Sequence, residues 1–492
     1  MNSLWSDAEA AQFIGDLGQR VYTSRLLGRE KSLVLHGGGN TSVKTVGKNI
    51  FGEDEQLLYV KGSGWDLATI DERGFSPVRM APLLRMAKLP AMTDSQMENE
   101  LITSMTRAGA PTPSVETILH AALPYKFVDH THADSIIAIT NSPSGEDRIR
   151  EIYGRRVVII PYIMPGFDLA RLCAENFPRQ ANASTIGMIL MNHGIFSFGA
   201  DARQSYERMI ELVTQAEEYL QRQSAWEISS GPVQVPEKTG LALAHLRKDI
   251  SAVADVPMIV ISKCDRASFR FVRRDDLWKV SQQGPATPDH VIRTKRLPMI
   301  GRDIQKFASA YEQYFEEFAP KAKQPVTMLD PAPRVVLDPE FGVCGVGRSA
   351  KAAAIAAEIY EHTIEIIQRA EKLGGWHALS AKHLFDVEYW ELEQAKLKKK
   401  GAPLVFSGEV VLITGAASGI GKACAESFLK RGAAVVGLDV NPAIETVFSR
   451  VDYVGIACDL TNEASVAGAI ERAANAFGGI DMLVLNAGIF PG

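Results

Sequence analysis

Apolar and polar positions follow three different rhythms along this chain. Up to about residue 228, a helical segment (Asp7 to Leu26) gives way to short apolar strands between Gly-rich turns. The region closes with an amphipathic helix over roughly Asp201 to Arg222. SAWEISSGPVQVPEK then reads as a linker. From about 236 to 400 the pattern predicts a strand in VPMIVISKC and another at FRFV. A helix near Ile304 to Phe318, a strand in PRVVLD and a helix over about Ala350 to Leu373 follow. From Ser407 the chain alternates strand EVVLITG, helix GKACAESFLKRG, strands AAVVGLDV and YVGIACDL, helix SVAGAIERAANAFG and strand DMLVLNAG. That alternation predicts a parallel sheet covered by helices. The fold class is therefore α/β, in regions 1–228, 229–402 and 403–492.

Residues 188–212 (MILMNHGIFSFGADARQSYERMIEL) and 335–360 (VVLDPEFGVCGVGRSAKAAAIAAEIY) share one order: apolar strand, polar turn, Gly-bounded strand, helix. Asp289-His290 is a counterpart in kind for Asp129-His130. The middle region then reads either as a diverged copy of the first or as a chance likeness of two strand–turn–helix units.

Composition narrows the function classes. The 53 Lys and Arg against 58 Asp and Glu give a net charge of -5, which argues against a broad nucleic-acid surface. The run Lys396, Lys398, Lys399, Lys400 reads as a solvated helix end leading into a linker. No apolar stretch reaches the ~18 residues of a membrane span, and the N-terminal residues lack a signal-peptide pattern. Five scattered cysteines make no CxxC pair. The expectation is a reduced, cytoplasmic protein.

Candidate chemistry begins at KFVDHTHADSIIAIT. At i and i+2 on a strand, His130 and His132 leave the same face, and two imidazoles so placed suit one borderline metal ion. His193, in LMNHGIFSFG, lies where an apolar strand meets a turn and could close the site. His-x-His by itself is often incidental. In PTPSVETILHAAL, Glu116 opens a predicted helix with Ser114 near its N-cap. Its carboxylate is either a plain helix-start charge or an acid/base group. His120 reads as packed or capping. VLHGGGNTSVK (34–44) and YVKGSGWDLATI (59–70) each read as a Gly-rich turn after an apolar strand, of a kind that can cradle phosphate.

GGGNTSVK, KGSGWDLA, PSVE, HTHAD and MNHG, in this order over about residues 20–225, resemble the class II aldolase/adducin family. The resemblance implies an α/β/α fold around a mixed sheet, a tetrameric homo-oligomer and a Zn2+ ion. It makes His130, His132 and His193 the zinc ligands and Glu116 the catalytic acid/base. It places a substrate phosphate on Gly39, Asn40, Ser63, Gly64 and Ser114. The adducin-like branch lacks the metal histidines, and this chain keeps all three, which favours an enzyme. The implied reaction is retro-aldol cleavage of a ketose 1-phosphate to dihydroxyacetone phosphate and an aldehyde.

VLITGAASGIGKACAESF sets a TGxxxGxG turn between a strand and a helix. The glycines permit a tight turn and close backbone approach to a pyrophosphate. These residues, with Asp439, Asp459 and Asn486-Ala487-Gly488, resemble the short-chain dehydrogenase/reductase family. The resemblance implies NAD on Gly415, Ser418, Gly419, Ile420 and Gly421, its ribose on Asp439, its adenine near Asp459 and its central part near Asn486 and Gly488. An acid at 439 favours NAD over NADP. The family's Tyr-x-x-x-Lys is absent: after residue 408 the sole tyrosine is Tyr453. The segment therefore reads as a truncated Rossmann-type fold without dehydrogenase activity in this chain, with NAD binding left open. Its last strand should have an unpaired side.

The order of the three regions, and GPATPDHVIRTKRLPM, resemble the bifunctional rhamnulose-phosphate aldolase/short-chain dehydrogenase group, which implies lactaldehyde as the released aldehyde. Other readings stay open: a sugar-phosphate epimerase or dehydratase on the same scaffold, a binding protein with a vestigial pocket, or an NAD-dependent oxidoreductase. His290, Arg293 and Lys295 read as an anion contact or as a surface salt-bridge set, and Glu340 as a turn residue.

Overall fold

The computed structural model describes residues 1–228, 231–236, 239–392, 394 and 402–488. The lysine run at 396–400, parts of both linkers and the last four residues lie outside these. The chain forms two compact units. One is 1–228 with 286–289 and 365–396, and the other is 229–285 with 290–364 and 397–492.

The first unit is built on a seven-stranded sheet. Its strands are β1 (Asn40–Lys48), β2 (Asp54–Lys61), β3 (Phe75–Arg79), β4 (Phe127–Thr131), β5 (Val157–Ile160), β6 (Gly187–Leu190) and β7 (Gly194–Gly199), in the order β3-β2-β1-β4-β7-β6-β5. All neighbours are antiparallel except β5 and β6, so the sheet is mixed. Strand alternation sorts the residues of β4 onto two faces. Val128 and His130 face a core that includes Leu83, Leu119, Cys173 and Phe196. Asp129 and Thr131 face the helices Gly15–Arg29 and Ala202–Arg222, where Asp129 pairs with Arg20 and Thr131 meets Met209 Sδ at 3.3 Å.

Three local expectations are corrected. The first helical segment is two helices, Asp7–Ala10 and Gly15–Arg29, because Gly15 takes φ +71 and turns the chain at an exposed Ile14. The apolar run before the triple glycine is a buried turn: Leu33 and Val34 N–H both donate to the Glu30 carbonyl. FRFV belongs to the helix Arg266–Val272. Asp265 caps it by accepting from Ser268 N–H, and Phe269 and Val272, three apart, are both buried.

The second unit holds two four-stranded sheets. One has β8 (Ile259–Lys263), β9 (Met299–Ile300), β10 (Val335–Asp338) and β11 (Gly342–Gly347), in the order β8-β11-β10-β9. The other has β12 (Val410–Thr414), β13 (Ala434–Asp439), β14 (Tyr453–Ala457) and β15 (Met482–Val484), all parallel, in the order β14-β13-β12-β15. Among the described residues, β15 pairs with β12 on one side only. Ile259, Ala350 and Ala353 share one apolar seam with Val410, Ala473 and Phe477. The buried Arg247 guanidinium binds Gly408 O at 2.9 Å and Asp481 at 2.6 Å, and so ties the helix Gly240–Ala254 to the parallel sheet.

The two similar stretches take the same local form. β6–β7 closes at Leu190↔Gly194 and β10–β11 at Asp338↔Gly342, and each hairpin runs into a long helix. A Cβ on Gly199 would stand 2.6 Å from Ser205 N, and one on Gly347 2.6 Å from Ala353 N. Both glycines therefore let the helix, six residues on, pack onto its own hairpin. The parallel stops upstream: Asp129-His130 lies in β4, whereas Asp289-His290 lies in a 3-10 turn. Lys295 is buried and lies 3.5 Å from the Tyr311 ring centroid, and Glu340 pairs with Arg302 at 2.6 Å. No helix among the described residues is long and apolar enough to cross a membrane.

Candidate active site

The histidines converge. One ring nitrogen from each of His130, His132 and His193 lies within 4.8 Å of the other two, and all three rings are buried. His130 is carried by β4. Its ring stacks on Phe196 at 4.2 Å, and its Nδ1 faces Ile195 O at 3.1 Å. A proton held there leaves the Nε2 lone pair free toward the cluster. His132 is one residue past the end of β4, so pleat geometry alone does not place it. Its N–H donates to Leu33 O at 3.0 Å, and its Nε2 stands 3.1 Å from His130 Nε2. His193 sits in the turn between β6 and β7. Gly194 is required beside it, because a Cβ there would stand 2.4 Å from Thr131 O and about 3 Å from two of the histidine rings.

Burial disfavours the charged forms of His130 and His132. It pushes His132 down to about 3, Asp289 opposing and the neighbouring histidines adding to the shift. Burial, and after it the electrostatic interaction with His193, likewise hold His130 well below its usual value. Neutral rings offer lone pairs, which metal binding needs.

Glu116 is the N-cap residue of the helix Thr117–Ala122, and its backbone N–H donates to Ser114 Oγ at 3.3 Å. Its Oε1 lies 3.4 Å from His130 Nε2 and accepts no hydrogen bond. Burial raises its carboxyl above the ordinary range. The nearby His193 and Lys61 charges and the Asn40 hydrogen bond oppose that shift, and Asp289 adds to it. An orphaned buried carboxylate oxygen beside three buried imidazoles is a donor set that fits a divalent cation.

Gly39, Ser63, Gly64 and Ser114 line one pocket with Glu116, His132 and His193. Asn40 is aimed differently. Its amide Nδ2 donates to Glu116 Oε2 at 3.3 Å, and its Oδ1 accepts from Thr41 N–H, so it holds the carboxylate. Gly39 has φ +62, and a Cβ there would stand 2.8 Å from His130 O. His120 is packed away, with Nδ1 2.8 Å from Ser42 Oγ.

Sequence reasoning missed Lys61, Asp289, Val387 and Trp390, which also line the pocket. Lys61 ends β2, is buried, and donates to Gly37 O and Trp65 O at 2.8 Å each, bracing both Gly-rich turns. A lysine at the inner end of an apolar strand, two residues before Ser63, was the available signal. Asp289, Val387 and Trp390 are remote in sequence and carry no local signal.

The parallel sheet of the second unit presents the other candidate residues at its strand ends. Gly415 and Gly419 have φ +67 and +54, and Ser418 is the N-cap of the helix Gly419–Lys430, with Ile420 exposed. A Cβ on Gly421 would stand 2.1 Å from Gly415 O. Asp439 accepts from Ala417 N–H at 3.0 Å and from Asn441 N–H at 3.0 Å. Asp459 accepts from Thr461 in its own loop. Asn486 Nδ2 donates to Thr414 O and Gly415 O, tying the glycine turn to the end of β15, two residues before Gly488.

Comparison with known proteins adds three family matches. The class II aldolase and adducin N-terminal domain matches residues 19–220, the class II aldolase second domain matches 237–397, and the short-chain dehydrogenase family matches 409–492. An uncharacterized oxidoreductase, YuxG of Bacillus subtilis, is 33% identical over 99% of this chain and 74% of its own length. A cis-4-hydroxycyclohexanecarboxylate dehydrogenase of Sinomonas cyclohexanicum is 45% identical over 17% of this chain, which spans 36% of that enzyme. The solved N-terminal class II aldolase domain of a conserved protein from Thermoplasma acidophilum is 44% identical. It covers 45% of this chain and 99% of its own, with a TM-score of 0.42.

Proposed function

Since the chain belongs to the class II aldolase/adducin family, with a short-chain dehydrogenase segment following, we propose that it cleaves a ketose 1-phosphate of the rhamnulose type. The products are dihydroxyacetone phosphate and lactaldehyde. The observation that carries the reading is the meeting of three buried imidazoles with a buried carboxylate oxygen 3.4 Å from one of them. His130, His132 and His193 would hold a zinc ion, which when bound supplies a Lewis acid for the substrate's carbonyl and hydroxyl oxygens. Glu116 exchanges the proton at the carbon that becomes nucleophilic, and Asn40 keeps its other oxygen occupied. Ser63, Gly64 and Ser114 offer neutral donors to the phosphate, and Lys61 adds a positive charge at the same wall. Anchoring the far end orients the bond that breaks.

Metal removal tests the reading. Protein stripped with a chelator is expected to lose retro-aldol turnover, with recovery on adding zinc, followed by detection of dihydroxyacetone phosphate. Full turnover by metal-free protein would exclude the zinc role. A panel of ketose phosphates with product identification separates cleavage from epimerisation or dehydration.

A second reading concerns residues 409–488. The glycine turn, Asp439 and Asn486 support binding of NAD's nucleotide portion, and the reading assigns no hydride transfer to these residues.

A further inference from the structure

A histidine that binds a metal presents one ring nitrogen and almost always has the other held by a carboxylate, carbonyl or water. His130 meets this through Ile195 O. For His132 the inner nitrogen is Nε2, 3.1 Å from His130 Nε2, so the outer one is Nδ1. Facing that Nδ1 at 3.3 Å is Asp289 Oδ2, while Asp289 Oδ1 lies 3.9 Å from His193 Nε2. Residue 38, beside that ring, is glycine; a Cβ there would stand 2.9 Å from Leu35 O and 3.5 Å, an ordinary contact distance, from His132 Nδ1. Asp289 is also firmly carried. Ala286 and Thr287 are 1% exposed, and Asn141 Nδ2 donates to Ala286 O at 3.2 Å.

We propose that Asp289 is a positioning residue of the metal centre: its carboxylate holds the Nδ1–H side of His132 and keeps the Nε2 lone pair turned toward His130 and His193. The proposal rests on the zinc reading above and adds a residue from the stretch matched by the second-domain family. The aldolase motifs of residues 20–225 therefore do not complete the centre. Neutral imidazole has two tautomers, and without an acceptor at Nδ1 nothing selects the one that leaves Nε2 bare.

The test uses the full 492-residue chain, stripped of metal and titrated with zinc against a chromophoric chelator. Asp289→Ala is expected to bind zinc about 10- to 100-fold more weakly than wild type. Asp289→Asn keeps an oxygen acceptor at the same place and is expected to stay within a few-fold of wild type. The visible spectrum of the Co2+ form should be the same in wild type and Asp289→Asn. Equal zinc affinity in wild type and Asp289→Ala overturns the proposal. So does a changed Co2+ spectrum in Asp289→Asn, which would make the carboxylate a direct ligand. If Asp289→Ala fails to fold, a tenfold or greater loss in Asp289→Asn overturns it as well. A wild type that takes up no zinc overturns this proposal and the zinc reading together. Zinc uptake without retro-aldol turnover overturns only the proposed activity, because the affinity comparison does not depend on it.

Discussion

Glu116→Gln protein is expected to bind zinc like wild type and to lose about 100- to 10,000-fold in turnover, the usual contribution of a positioned acid/base group. The substitution keeps the shape of the side chain and an oxygen near His130, so the pocket should stay closed and the phosphate turns intact. What it removes is the group able to take up and return a proton beside the three imidazoles. Burial is the main influence on this carboxyl and favours its protonated form. His193, the Asn40 amide and Lys61 oppose that shift without cancelling it. Glu116→Ala should lose at least as much. The check is kcat for ketose-phosphate cleavage with bound zinc quantified in the same samples. Undiminished turnover at full zinc loading would remove Glu116 from the chemistry.

The largest effect on stability is expected on the opposite face of the same strand. Asp129 and Arg20 are both fully buried and form an ion pair, with Ser205 Oγ donating to the carboxylate. Burial pulls the Arg20 guanidinium below its ordinary value, and Asp129 opposes that shift. Asp129→Asn strands a cation in the interior and is expected to cost about 3–5 kcal/mol. The double change Arg20→Met with Asp129→Leu should recover most of that loss, since two apolar groups replace a pair that paid heavily in lost hydration. Five of the six tryptophans lie in the first unit, so tryptophan fluorescence during urea unfolding reads mainly this transition. A midpoint for Asp129→Asn equal to wild type would show the pair to be dispensable. His130 follows Asp129 directly, so the same strand carries a structural charge on one face and a reactive ring on the other.

Much of this was legible in the chain because the signals are local. Alternation in KFVDH sets a strand, the glycines of MNHG and TGAASGIG mark close backbone approaches, and strand–helix alternation after Ser407 sets a parallel sheet. The misread places share a cause. Gly15 and the Leu33–Leu35 turn look like helix and strand by apolar content alone. There, the left-handed backbone of one residue and the hydrogen bonds to Glu30 decide otherwise. FRFV has the composition of a strand but an aspartate cap upstream. Asp289, Val387 and Trp390 were illegible for a different reason. They reach the histidine pocket through tertiary packing between stretches remote in the sequence, and no local pattern encodes that.

The apolar seam in the second unit bears on how the polypeptide can be divided. Ile259 and Ala350 are solvent-shielded by Phe477 and its neighbours, and Arg247 spends its charge on Gly408 and Asp481. A protein shortened at the 395–401 junction would leave that flank greasy and wet, with a cation deprived of its counter-ion. The dehydrogenase-like portion is thus a wall that the preceding portion leans on, and an attempt to express either without the other invites aggregation.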